Sequence, residues 1–231
     1  MKKKCLAIIT ARGGSKRITR KNIKEFCGKP IIQYSIEAAI ESSIFDEVMV
    51  STEDLEIKKI AEECGAMVPF TRSQETSGDM AMTHEVLLEV LDEYKKLGIT
   101  FEYVCCIYPT APFITAARLR ESYEKLVLSK ADAVIPIVAY SFSPQRCFVL
   151  KDDKLEFKWP ENRLLRSQDL EKWYHDCGQF YFMNTERFLD THNLIMENTL
   201  PIIIDEMEVQ DIDNYVDWEL AELKYRMRIS K

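Results

Sequence analysis

Short apolar runs alternate along the chain with stretches whose apolar positions recur every three or four residues. Residues 5–10 form an unbroken apolar run closed by Thr10, which predicts a buried strand. Ile32, Ile36, Ala39 and Ile40 share one helical face, predicting a helix over 31–43. The same reading gives strands at 47–51, 66–70, 103–107 and 133–138, and helices at 54–64, 84–97 and 115–128. Gly65 serves as a helix stop. This βαβα succession predicts an α/β fold, with a mainly parallel sheet covered by helices on both faces.

The rhythm breaks after Val138. Residues 140–176 carry Phe142, Phe148, Phe157, Trp159, Trp173 and Tyr174, two prolines and many charges, with no helical period over most of their length. They read as an arm inserted into a single domain spanning 1–231. The core pattern resumes with strands at 179–183 and 201–204 and a last helix over 215–228.

Of the 231 residues 46% are hydrophobic and 30% charged, the balance of a globular protein able to bury a core without disulfides. The net charge of −7 weighs against a protein that coats nucleic acid. Within residues 12–29, however, seven basic side chains accompany the single acid Glu25, a patch that suits a small polyanion. Seven cysteines without a CxxC pair indicate neither a disulfide framework nor a zinc ribbon, and a reducing cytoplasm is expected. The apolar stretch after the opening lysines is short for a signal peptide, and no run approaches the ~18 residues of a membrane span.

Two constellations could carry chemistry. The first strand runs directly into Ala11-Arg12-Gly13-Gly14-Ser15-Lys16-Arg17. Ligands bind beyond the carboxyl ends of strands in such sheets, two glycines let the backbone approach a phosphate, and Arg12, Lys16 and Lys21 can neutralise it. The spacing fits neither GxxxxGK[ST] nor GxGxxG. The second constellation is Asp211-Ile212-Asp213. In an extended segment the two carboxylates point to one side about 7 Å apart, which suits Mg²⁺ shared with substrate phosphates. Alternatively Asp213 caps the last helix. His175, in Tyr174-His175-Asp176-Cys177-Gly178-Gln179, sits where the arm returns to the sheet; it reads equally as a pocket wall or as part of a turn with a glycine bulge at Gly178.

The run from Ile8 to Lys16, then Lys21-Asn22, Gly28-Lys29-Pro30-Ile31, residues 50–54, Tyr108-Pro109-Thr110-Ala111-Pro112 and Gln210-Asp211-Ile212-Asp213 resembles the signature of the cytidylyltransferases that activate nine-carbon acid sugars. The resemblance covers essentially the whole chain in order. Its detail, from Trp159 through Arg166-Ser167-Gln168-Asp169 to Tyr181, is similar to the branch acting on pseudaminic acid. Tyr108 stands where the sialic acid branch usually has Gln, and Asp176-Cys177-Gly178 departs from that branch's Asn-Gly-Ala.

This resemblance implies a Rossmann-like three-layer domain of the nucleotide-diphospho-sugar transferase type, with the arm serving for homodimerisation. It implies CTP and an acid sugar as substrates, and Mg²⁺ as cofactor. Ala11 to Lys16, Lys21, Asn22, Arg72, Thr83 and Tyr108 then fall at the nucleotide, Lys21, Arg12 and Asp211 at the reacting phosphate, and Asp211 and Asp213 at the metal. Gln145, Arg166, His175, Gln179 and Phe180 are the residues expected around the sugar, with Arg166 or His175 facing its carboxylate. The competing expectations are the same reaction on legionaminic, N-acetylneuraminic or ketodeoxyoctonic acid, and a CTP-binding sensor without turnover.

Overall fold

The first apolar run becomes strand β1 (Lys2–Thr10) of a computed structural model that describes residues 2–229. A minimal hairpin, β2 (Glu25–Phe26) and β3 (Lys29–Pro30), leads to α1 (Ile31–Ser42). Then follow β4 (Glu47–Ser51), α2 (Leu55–Glu63), the single turn α3 (Gln74–Ser77), α4 (Thr83–Lys96), β5 (Thr100–Ile107), α5 (Ala116–Ser129) and β6 (Ala133–Ala139). After the arm, with its hairpin β7 (Phe148–Lys151) and β8 (Lys154–Phe157), come β9 (Tyr174–Asp176), β10 (Phe180–Asn184), α6 (Thr185–Thr191), β11 (Thr199–Ile203) and α7 (Tyr215–Ile229).

The central sheet runs β11-β6-β10-β5-β1-β4, with β9 also on β6. Strands β11 and β6, and β5, β1 and β4, pair in parallel, whereas β10 is antiparallel to both its neighbours. From Cys5 to Ile9 strand β1 is apolar without alternation because both its faces are covered there. Cys5, Ala7 and Ile9 belong to a core shared with α1, α2 and α5, while Leu6 and Ile8 belong to a second core with α4 and α6. A third, smaller core seats α7 through Trp218 and Ala221 against Ile18, Phe26 and Ile212.

Local chemistry sets the element ends. Asp54 accepts from the Glu56 and Ile57 N–H groups and starts α2; Thr115 does the same for α5. The strand expected over 66–70 reduces to a single bridge between Met67 and Met49. Pro69 has no N–H to extend the ladder, which explains the loss. The arm's hairpin pairs with no strand of the central sheet, and its outer residues Leu150 and Leu155 are 71% and 70% exposed. The arm ends sooner than its composition suggests, since Tyr174 to Asp176 already pair with β6.

Candidate active site

Strand β1 ends between β4 and β5, and the basic loop leaves from that point. Gly13 is required there. A Cβ would lie 2.5 Å from Asp54 Oδ2, and Asp54 is held both by its cap bonds and by Arg20, whose guanidinium grips it at 2.5 and 2.9 Å. Arg20 draws the Asp54 pKa down to about 2. The Gly13 N–H donates to Glu53 Oε1 at 2.7 Å and the Ser15 N–H to the Gly13 carbonyl at 3.0 Å, so both amides are committed to the fold of the loop. Asn22, 5% exposed, donates from its amide to the Arg12 carbonyl at 2.8 Å and fixes the loop's return.

Arg12, Ser15, Lys21 and Asn22 line a cavity of about 220 Å³ together with Arg72, Thr83 and Tyr108 from the far wall. Seven residues expected at the nucleotide therefore converge, drawn from four separate parts of the chain. Ala11 is buried beneath the loop, and Gly13, Gly14 and Lys16 stand outside the cavity lining. Arg72 donates from Nε to the Ser51 hydroxyl at 3.0 Å, while its Nη2 is buried with no hydrogen-bond partner. Burial lowers the Arg72 pKa, with Glu53 and Glu89 opposing. A buried guanidinium with an unused donor beside a cavity is suited to a ligand acceptor. The Tyr108 hydroxyl lies 3.2 Å from that of Thr83.

The acidic segment reaches the loop through Ile212. This side chain is fully buried in the third core, so Asp211 and Asp213 on either side of it face the other way. Lys21 Nζ donates to the Ile212 carbonyl at 2.7 Å. Desolvation lowers the Lys21 pKa, and Asp213 and Asp211 raise it. Desolvation and the Asp213 carboxylate raise Asp211, with Lys21 opposing. Asp213 pairs with Arg17 at 2.8 Å. It is not the cap of α7: Asn214 Oδ1 accepts the Val216 and Asp217 N–H groups instead. Among the described residues no group of three or more His, Cys, Asp or Glu side chains forms a metal cluster. Two adjacent carboxylates, one raised by the other, suit a hard cation that takes its remaining oxygens from phosphate and water.

A second cavity, of about 270 Å³, is lined by Ala139, Tyr140, His175, Gln210, Asp211 and Lys224. Lys21 lines the first cavity and Asp211 the second, and the two charges act on each other across the short distance between these walls. His175 belongs to this wall, its ring 4.8 Å from that of Tyr140 and Nδ1 2.9 Å from the Asp176 carbonyl oxygen. Gly178, at φ 60°, lies not in a strand but in the bend between β9 and β10, where its N–H donates to Asp176 Oδ1 at 2.8 Å.

The other residues expected at the sugar lie elsewhere. Phe180 is 1% exposed and packs on Phe182 in the first core, where β10 begins after the bend at Gly178. Gln179 is buried, with its amide on the Glu208 carbonyl at 2.6 Å. Gln145 is buried within the arm, bonded to Ser143 and to the Glu171 carbonyl. Arg166 pairs with Asp169 at 2.8 Å on the arm's surface. Sequence reasoning missed Tyr140 and Lys224. Tyr140 follows the end of β6 and Lys224 lies in α7, far apart in the chain, and only the fold brings them together.

The chain's residues 6–220 match the family model described as Cytidylyltransferase. A pseudaminic acid cytidylyltransferase of Campylobacter jejuni is 37% identical over 225 residues, covering 97% of both chains. A CMP-N,N'-diacetyllegionaminic acid synthase of Legionella pneumophila is 30% identical, covering 94% of both. Among solved structures, CMP:2-keto-3-deoxy-manno-octonic acid synthetase complexed with CTP superposes with a TM-score of 0.69 at 16% identity, covering 99% of this chain and all of that one.

Proposed function

The chain belongs to the cytidylyltransferase family and is a nucleotidyltransferase, and we propose that it joins CTP to pseudaminic acid, giving the CMP-sugar and pyrophosphate. The placement of Lys21 on the wall of one cavity and Asp211 on that of the other carries this reading, because a transfer reaction needs one site for the nucleotide, one for the acceptor and a charged junction at the reacting phosphate. The 37% identity to the Campylobacter relative over nearly the whole chain supports the choice of sugar.

In this reading the anomeric hydroxyl oxygen of the sugar attacks the α-phosphorus in line. The new O–P bond forms as the bond to the β-phosphate breaks, the hydroxyl proton passes to solvent, and pyrophosphate leaves with its electron pair. No protein nucleophile is needed; positioning and charge stabilisation suffice. Lys21, held by Ile212, meets the charge that grows on the α-phosphate oxygens, with Arg12 beside it. Lys16 reaches the leaving phosphates from the rim. Arg72 offers its unused Nη2 to the base. His175 and Lys224, on the wall of the second cavity, would meet the sugar carboxylate, Lys224 while also donating to the Glu206 and Val209 carbonyls; Arg166 pairs with Asp169 on the arm instead. Asp211 and Asp213 would hold Mg²⁺, which supplies charge neutralisation on the phosphates and acidifies a bound hydroxyl.

We further assign the arm to homodimerisation, supported by its exposed apolar hairpin, and the reaction to the cytoplasm, supported by seven unpaired thiols. No described helix is long and apolar enough to cross a membrane.

Pyrophosphate release with CTP and Mg²⁺, measured in parallel with pseudaminic, legionaminic and N-acetylneuraminic acids, tests the assignment. Fastest turnover with pseudaminic acid is expected. Faster turnover with another acid overturns the choice of sugar; CTP binding without release from any of them overturns the transfer reaction.

A further inference from the structure

Arg12 and Lys16, the cations assigned to the triphosphate, share one partner. Arg12 Nη1 donates to Asp79 Oδ1 at 2.7 Å, and the Lys16 ammonium pairs with the other oxygen of the same carboxylate. Asp79 therefore already does for these two side chains what a phosphate would do. The segment carrying it, residues 73–82, runs along the nucleotide cavity, which Thr76, Gly78 and Ala81 help to line.

Both ends of this strap are pinned to α4. Near one end Glu89 accepts from the Ser73 N–H at 2.7 Å, from the Ser73 hydroxyl at 3.0 Å and from the Thr76 hydroxyl. At the other end Glu85 accepts from the Met82 N–H at 2.7 Å. The pins leave a short apex around Asp79. Its carboxylate can leave the two cations without unseating Thr76 or Thr83 from the cavity wall.

We propose that Asp79 is a specificity-determining residue of the nucleotide site, an anionic latch that competes with phosphates for Arg12 and Lys16. This rests on the CTP reading above. A ligand gains the two cations only by displacing a carboxylate that holds both. A polyphosphate carries the charge to do so; a nucleoside does not engage them. The latch weakens polyphosphate binding at both ends of the reaction. It raises the CTP concentration needed for turnover, and it recaptures the cations as pyrophosphate departs. The Arg12 pair is partly exposed and the Lys16 pair largely so, and both are hence individually weak, so the expected effect is modest, about three- to tenfold.

Calorimetric binding of pyrophosphate and of cytidine, with CTP KM as a third readout, is compared for the wild type, Asp79→Asn and Asp79→Glu. In Asp79→Asn, pyrophosphate affinity is expected to rise and CTP KM to fall by that factor, with cytidine affinity unchanged. Asp79→Glu restores the wild-type pattern. Equal pyrophosphate affinity in wild type and Asp79→Asn, or an equal shift for cytidine, overturns the latch. A wild type that binds pyrophosphate but transfers nothing to any sugar counts against the transfer reading alone, and the pyrophosphate comparison still decides the latch.

Discussion

The Lys21 ammonium donates to the Ile212 carbonyl at 2.7 Å, across 191 residues of chain. The bond joins the basic loop that follows the first strand to the acidic segment that precedes the last helix. It fixes a cation next to two carboxylates without letting either carboxylate neutralise it directly.

Lys21→Ala should lower kcat for pyrophosphate release by a factor on the order of 10²–10³, the scale seen when one charge-stabilising donor is lost. The loss should fall on kcat more than on CTP KM, since Arg12, Arg72 and Asn22 remain. Because desolvation lowers the Lys21 pKa, the alkaline limb of wild-type activity should lie below the ordinary lysine value, where the ammonium gives up its proton. Near-normal kcat in Lys21→Ala would reject its role.

His175→Ala should raise the sugar KM by roughly tenfold while leaving CTP KM within twofold, as expected for loss of one charge-assisted contact. The split between the two KM values is the measurement. A rise confined to CTP would move His175 to the nucleotide side and remove the second cavity from the sugar.

Asp54 links pH to stability. Its pKa falls from 3.8 to about 2 on folding, chiefly through Arg20. The stabilisation is present above the unfolded value and is lost as pH falls through about 4 towards 2. Asp54→Asn keeps a capping side chain but not the charge. Its Tm should be about 2–4 °C below wild type at pH 7, and the two should converge near pH 2. Curves that stay parallel down to pH 2 would show that the Arg20 pair contributes nothing.

Leu150→Asp with Leu155→Asp places charges on the exposed hairpin. Light scattering should show a dimer for wild type and a monomer for the double variant, with the same circular dichroism spectrum. A wild-type monomer, or a variant that remains dimeric, would assign the arm's apolar surface to something else.

The loop and the acidic segment were legible because each is a short local run whose residue types state their chemistry. Asp211 and Asp213 could be paired from the extended period alone, and Ile212 shows why that period holds: its buried side chain sets the face. What was not legible depends on distant partners or on parity. Asp79 meets Arg12 across 67 residues, and its carboxylate has no local pattern that marks it; Glu53 meets Gly13 across 40, and although it lies in the signature run 50–54, nothing in that run names its partner. Gln179 and Phe180 fall in the expected stretch, yet both are buried, and the bend at Gly178 that precedes them has no local apolar pattern to announce which face each takes. The apolar run at 179–183 marked β10 as a strand but carried no sign of its direction. Pro69 could have been read against a strand at 66–70, since it removes a ladder donor.

Strand β10 lies between β5 and β6, although the chain makes it only after both of them and the whole arm. During synthesis, β5 and β6 leave the ribosome as neighbours in sequence with a strand-wide gap reserved between them. A nascent chain stopped at Ala139 has both walls of that gap as unpaired edges, open to pairing with other chains. The nucleotide-binding half therefore cannot be separated from its late strand as an autonomous fragment, and a truncation or stalled ribosome short of residue 184 should deliver aggregates rather than a smaller working site.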